Sequence, residues 1–525
     1  MIKKLLSVLI AILAFTLPCV GQDLPELQIV ASNNAAVVSW SNAPQLSVLQ
    51  ATTNLSRPIS WSNVSDAGFA TNFTASNASP QQFFRIAQVM PLFQFAIFYN
   101  VNMEIDPGRP MVIKEPVFCN ASIWACASAL TFLSSVDAVG TITTNTPDPF
   151  SDGYADPGSA TFDVPYLTNQ PSLSMPITGT NTSAASVQNI LNLPPAGSGL
   201  PNRAALQSSN QVYIYNTADL IISNSATGIN GSSTYGSNIT VYYENSNVIG
   251  YLQLVTNDMV SINTSVTPHT TNEFYSFVTN VTFYDFRESK TVQAVQIDVA
   301  KFNAWLITNT ASGGENWNFE NTFGPTSKGH NLDSIYVYNN VPLTTAQLPA
   351  VRIINGQQLP SSFGLTIATP QPLYVLGNYN VQTNGGSPVL GTTNTASTYP
   401  AALMGDAITI LSGNWRDSVD NENPTPNATT INAATLEGIV PSDPTISGSY
   451  SGGVENFLRL LENWAGVTLT YNGSIAVMFD SQYATNHWGG SYYGVPARNW
   501  NFDSNFLNLN KLPPLTPSVV NFVTP

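Results

Sequence analysis

Gly364-Leu-Thr-Ile-Ala-Thr-Pro-Gln-Pro-Leu-Tyr-Val-Leu-Gly-Asn-Tyr379 is the stretch on which the fold turns. Two short apolar runs are separated by Pro-Gln-Pro and closed by Gly-Asn, the punctuation of strands rather than of a helix. The same texture returns in Ala401-Ala-Leu-Met-Gly-Asp-Ala-Ile-Thr-Ile-Leu411 and in Thr429-Thr-Ile-Asn-Ala-Ala-Thr-Leu-Glu-Gly438. Short strands repeatedly broken at Gly, Asn and Pro suggest a mainly β, solenoid-like scaffold. The strands keep no fixed repeat length, so an irregular solenoid is expected, with a large sandwich as the alternative.

Further along, Val454, Phe457, Leu458, Leu461 and Trp464 recur at helical spacing. The spacing predicts a capping helix over residues 454–465, with Gly452-Gly453 before it and Gly466 as its stop. Glu455, Arg459 and Glu462 would then form a paired, solvated opposite face. Asn472-Gly473 between two apolar runs reads as a hairpin turn. Residues 331–525 thus form the second part of the β scaffold.

Working back toward the N-terminus, residues 211–330 mix textures. Val212–Tyr215, Asp219–Ile222, Ile239–Tyr243 and Val281–Tyr284 read as strands. Asp298 stands as a helix N-cap before Val299, Phe302, Trp305 and Leu306. An α+β insertion is expected there. Residues 90–210 form the first part of the scaffold, and residues 22–89 a small β-sandwich module with Trp40 and Trp61 as core anchors. Its wording, Leu49-Gln-Ala-Thr-Thr-Asn-Leu55 with Gln82-Phe-Phe-Arg-Ile86, resembles fibronectin-III-like spacers of secreted bacterial proteins. Residues 1–21 read as a signal peptide: Lys3 and Lys4 precede the apolar run Leu5–Leu17, which is short for a membrane span. The mature chain, beginning near Gln22, is expected to have no integral membrane span and to be secreted or held at the cell surface.

Composition narrows the function. Charged residues make up 9% of 525, well below the usual ~25%, and the net charge is -15. A phosphate backbone demands clustered Lys and Arg, and 16 scattered basic residues do not supply them. Nucleic acid is therefore excluded as an expected partner. Cys119 and Cys126 are the only thiols left after leader removal, and in an oxidising compartment a disulfide between them is expected, with two buried thiols as the alternative.

The C-terminal half resembles exported bacterial pilus-assembly proteins of the minor-pilin-like (PilX-like) group. The resemblance rests on Leu373–Tyr379, Ala401–Ser412, Tyr450–Arg459, Pro496–Asp503 and Leu512–Pro517. It extends weakly through Phe283–Lys290 and Phe95–Tyr99, so that residues 95–517 are largely covered. It implies a surface-located structural or adhesive role beside a pilus or secretion system, with other surface or pilus proteins as partners. Minor pilins carry a long apolar helix after a short leader, and this chain has none.

Chemistry is sparsely signalled. His269, His330 and His487 lack metal-ligand spacing, and no nucleophile elbow or phosphate loop occurs. No catalytic residue or cofactor is expected. Asp148, Asp152 and Asp156 form one acidic loop, and Asp417, Asp420 and Glu422 another. Either offers oxygens to calcium without matching an EF-hand. Two alternatives to the structural role remain. A β-helix polysaccharide-degrading enzyme, glycosidase or lyase, would need clustered carboxylates with a basic partner. A glycan-binding adhesin would need exposed aromatics, for which Trp488, Tyr492 and Tyr493 are the candidates, with extracellular polysaccharide as the ligand.

Overall fold

The computed structural model describes residues 26–521 apart from 33–34, 42–46, 54–61, 64–71, 77–81, 145–148, 151–157, 176–186, 195–212, 225–238, 246–249, 254–259, 264–269, 274–276, 311–331, 342, 361, 384, 419–424, 487 and 489–491. The leader, Trp61, the three histidines and the loop carboxylates Asp148, Asp152, Asp156, Asp420 and Glu422 lie outside the described residues.

The protein is mainly β, and its strands run largely parallel. One sheet of eleven strands forms its spine. Across it lie Val136–Ala138, Val117–Cys119, Ile97–Tyr99, Ile475–Asp480, Ala434–Ile439, Ala401–Met404, Leu365–Ala368, Ser334–Asn339 and Leu220–Asn224, all parallel. Ile239–Asn245 and Gly250–Gln253 complete it antiparallel. A second sheet takes Gln347–Ile354, Leu373–Leu376, Ile408–Leu411 and Arg459–Leu460 in parallel order, after the antiparallel pair Val278–Asp285 and Lys290–Asp298. A third stacks Thr429–Asn432, Thr468–Asn472 and Ala497–Asn501. Successive turns of chain therefore lay strand over strand.

The N-terminal turns follow the same plan on a regular repeat. Tyr99, Cys119 and Ala138 stack in register, one turn of about twenty residues apart. Met103, Ile123 and Ile142 stack beside them, as do Ile113 and Phe132. This period is written in the sequence as recurring apolar triplets, although each triplet is too short to stand out.

Among the parallel strands of the spine, chain order breaks at one place. The C-terminal turns advance from Leu220–Asn224 to Ile475–Asp480, and the next strand in space is Ile97–Tyr99. The N-terminal turns then continue in the same direction. Parallel pairing closes this seam, helped by side-chain hydrogen bonds across it.

The spine is buried on both faces, which explains its near-continuous apolar runs. Ile97, Tyr99, Leu365, Ile367, Leu403, Ile475 and Val477 join the inner core. Phe98, Phe118, Tyr336, Met404, Leu436 and Met478 face outward into a second core. That core is covered by Leu92, Phe93, Leu173, Met175, Ile190, Ile214, Phe506 and Val519. Corners are held by side-chain amides. Asn432 Nδ2 donates to the Asn380 carbonyl (2.9 Å), Asn380 Nδ2 to that of Asn432 (2.8 Å), and Asn472 Nδ2 to Asn432 Oδ1 (2.7 Å).

Several expectations are corrected. The predicted helix at 454–465 is absent: a 3-10 turn spans Val454–Asn456 and a strand Arg459–Leu460. Leu458 and Leu460 face the inner core, whereas Leu461 joins the outer cluster with Tyr374 and Trp415. The period is two, and burial on both faces let it imitate a helical stripe. Asn472-Gly473 is a corner between strands of different sheets, not a hairpin. A Cβ on Gly473 would stand 1.9 Å from the Ala433 carbonyl oxygen, so glycine is required for close approach there.

Ile214–Thr217 is a short helix where a strand is expected. The helix Val299–Thr310 does form. Asp298 Oδ1 accepts the Lys301 amide (3.1 Å) as its N-cap, and Phe302 and Trp305 are fully buried. Segment 211–330 is no separate body, since it supplies Leu220–Asn224 to the spine and the pair Val278–Asp298 to the second sheet.

The N-terminal module pairs Glu26–Ser32, Ala35–Ser41 and Asn72–Ser76 antiparallel. Its strand Phe83–Pro91 also pairs with Ser518–Asn521, tying it to the C-terminal strand.

Candidate functional site

Turns that bring distant residues together also bring their charges together. Among the described residues, ionisable side chains gather around the segment Ser451–Glu462, whose strand alternation sends some inward and some outward. Glu455 follows Gly453, whose φ of +79° frees the backbone to turn inward. The Glu455 carboxyl is buried, and both its oxygens accept the Asp106 amide at 3.3 Å. Glu104 Oε2 beside it accepts from the Ser442 hydroxyl (2.6 Å) and the Ser451 hydroxyl (3.3 Å). Burial pushes the Glu455 carboxyl up to about 8, against the opposing charge of Arg498. It is therefore a neutral acid at pH 7.

Next to it, the Tyr493 hydroxyl bonds Asn456 Oδ1 and accepts from the Trp488 indole N–H (2.7 Å). Arg498 Nη2 donates to the same Asn456 oxygen (3.0 Å), and its guanidinium lies over Trp500. Trp488, Tyr492 and Arg498 are half-buried, and Tyr493 is buried.

On the outer side of the second sheet a second network forms. Arg459 is paired with Glu288, whose other oxygen accepts the Asn486 amide (3.2 Å). Asp285 accepts the Tyr374 hydroxyl (2.6 Å) and the Glu288 amide (2.8 Å). Burial, with Arg459 nearby, pushes the Arg287 guanidinium down to about 9, and its Nε and Nη1 find no hydrogen-bond acceptor. Arg352 forms a fork with Asp417 (2.5 and 2.9 Å) and stands over Phe283.

Three further buried carboxylates are engaged by backbone. Asp406 accepts the Ser481 hydroxyl and the amides of Gln482 (2.7 Å) and Tyr483 (3.0 Å). Glu462 accepts the Ser412 amide and hydroxyl, both at 2.6 Å. Glu437 accepts the Ile408 amide (2.6 Å). Burial raises all three, most strongly Glu437.

The chain matches no protein-family model, no curated protein and no solved structure. Its functional reading therefore rests on this geometry.

The residues singled out from sequence fare differently. Cys119 and Cys126 are both buried and are not joined to each other, so the expected disulfide is corrected. Cys119 ends a strand of the spine and Cys126 lies beyond the next corner. Their thiols face separate carbonyls, Val101 at 3.2 Å and Thr143 at 3.8 Å. Val454, Phe457, Leu458, Leu461 and Trp464 are all buried, though not as one helical face. Glu455, Arg459 and Glu462 are buried rather than solvated, because each finds a partner on a neighbouring turn.

Tyr493 is buried and its hydroxyl is committed, so it is corrected as a glycan contact. Trp488 and Tyr492 keep part of their surface. Asp417 is engaged by Arg352 and by the Trp415 indole N–H (3.1 Å), so its carboxylate serves as an ion-pair partner. Sequence reasoning passed over Glu104, Asp106, Arg287, Glu288 and Arg498. The twenty-residue period offered a signal for Glu104, since it superposes that residue on Trp124. Nothing local marked the others.

Proposed function

We propose that the chain is an exported or cell-surface structural or adhesive protein, associated with a pilus or secretion system as the sequence resemblance implies. The observation that carries this reading is how its buried carboxylates are used. Asp406, Glu437 and Glu462 each accept main-chain amides of another turn, and so act as struts of the scaffold. The stacked strands make a stiff body with a low-charge surface, suited to spacing or display. Half-buried Trp488 and Tyr492 supply an aromatic contact for a glycan or a neighbouring surface protein.

The test is location and attachment. Antibody against the chain should label intact cells, the mature form should begin near Gln22, and binding to extracellular polysaccharide should weaken in Trp488→Ala. Retention in the cytoplasm with Met1 intact would overturn the reading.

One observation favours a second reading, that of a polysaccharide-degrading enzyme. Glu455 holds its proton at neutral pH and stands beside Asp106 and Arg498, as a general acid would. Release of reducing ends from a polysaccharide by purified protein, abolished in Glu455→Gln, would establish it.

A further inference from the structure

The seam between the two stacks of turns is built differently from the other strand junctions. Ile475–Val477 pairs with Ile97–Tyr99, and the Ile475 amide donates to the Ala96 carbonyl (2.9 Å). The Asn100 amide donates to the Val477 carbonyl (2.7 Å), and the Ser474 hydroxyl to that of Phe95 (2.6 Å). Inside this pairing Glu455 accepts the Asp106 amide across the seam, and the Tyr99 hydroxyl lies within the charge field of Glu455, Glu437 and Glu104. Glu104 and Asp106 come from the N-terminal stack, Glu455 and Glu437 from the C-terminal one.

We propose that this seam is a proton-dependent joint, firm in acid, where its opened form also keeps the Glu455 proton, and loosened as pH rises and the opened form gives that proton up. The groups facing Glu455 decide the direction. From the N-terminal stack come Asp106, whose negative charge opposes ionisation while its amide favours it, and the Tyr99 hydroxyl with Glu104 beyond it. From the C-terminal stack come Arg498, which favours ionisation, and Tyr493 with Glu437 further in.

Burial outweighs the Arg498 charge and the backbone hydrogen bonds and carries the Glu455 carboxyl from 4.5 to about 8. A carboxyl raised in the folded state stabilises fully below its unfolded value. That contribution is lost as pH climbs from 4.5 through 8, because only the opened form ionises freely. The loss falls on the seam, since Glu455 touches Asp106 across it. Removing the proton also leaves a buried anion beside Glu104 and Asp106.

The test is hydrogen exchange on the whole mature protein between pH 6 and pH 9, corrected for intrinsic rates. Protection of the Asn100 and Ile475 amides should fall about tenfold or more relative to the Leu365 and Leu373 amides, which pair within the C-terminal stack. In Glu455→Gln the seam amides should follow the reference amides. Parallel protection in the native chain, or an unchanged fall in Glu455→Gln, overturns the proposal. Should that variant fail to fold, the infrared band of a protonated carboxyl in the native chain decides. Its presence at pH 6 and loss near pH 8, with seam protection falling between those two values, supports the joint, and its absence at pH 6 refutes it.

Discussion

Asn432 takes two roles at one corner, donating to the Asn380 carbonyl and accepting from Asn472, with almost no exposed surface. Asn432→Ala should therefore cost about 1–3 kcal/mol, because the partner amides stay buried without it. A urea midpoint unchanged from the native chain would contradict this. Asp137 shows the same logic in reverse. Earlier turns place Phe98 and Phe118 at its register position, and its Oδ1 finds no hydrogen-bond partner. Burial raises its carboxyl to about 6 from 3.8, so its ionisation destabilises the fold as pH rises through that window. Asp137→Asn should be more stable than the native chain at pH 7 and differ little at pH 3.5, as measured by thermal unfolding. For the cysteines, burial pushes the Cys119 thiol up to about 12, where it is a poor nucleophile. Both thiols should resist alkylation in the native protein and react fully in denaturant without reductant. A mass two hydrogens lighter than the dithiol would restore the disulfide.

At the scale of the element, burial on both faces decides what was misread. A half-buried strand alternates apolar and polar, but Leu458–Leu461 is buried throughout, so alternation vanished and a helical stripe emerged. The apolar side chains are buried as expected, whereas Glu455, Arg459 and Glu462, expected on a solvated face, are buried as well. Trp464 is fully buried in the inner core, and Trp464→Ala should cost about 3–5 kcal/mol. Equal denaturant midpoints for variant and native chain would show that the ring is not packed. The helix Val299–Thr310 was legible because it carries a local signal, an Asp N-cap ahead of a one-sided stripe. Strand Arg459–Leu460 carries none, and is set by pairing with Thr409–Ile410.

For the whole molecule, the order of turns in space is that of a permuted chain. The Leu92 amide donates to the Pro517 carbonyl (2.8 Å), so the chain after the last turn arrives where the first begins. A permutant that joins Pro517 to Leu92, omits the N-terminal module and opens between 176 and 212 would wind through both stacks without a break. It should fold to the same circular dichroism spectrum and unfold in one transition. Failure to fold would mean that the opened segment 176–212, the C-terminal strand or the N-terminal module carries part of the stability. Because Ile97 must find Ile475, contacts of long sequence separation dominate, and slow refolding is expected.

Composition and local pattern determined the mainly β class, the short punctuated strands, the capped helix after Asp298 and the acidic, weakly charged surface. Each of these is a property of neighbouring residues. Tertiary structure alone decided the seam between Ile97 and Ile475, the pairing of Arg459 with Glu288, the separation of Cys119 from Cys126, and the approach of Asp106 to Glu455. In stacked turns the nearest neighbour of a side chain lies a whole turn away, and at the seam 378 positions separate Ile97 from its partner Ile475. Only the closed winding brings such groups within hydrogen-bond reach, and only there does burial shift their charge.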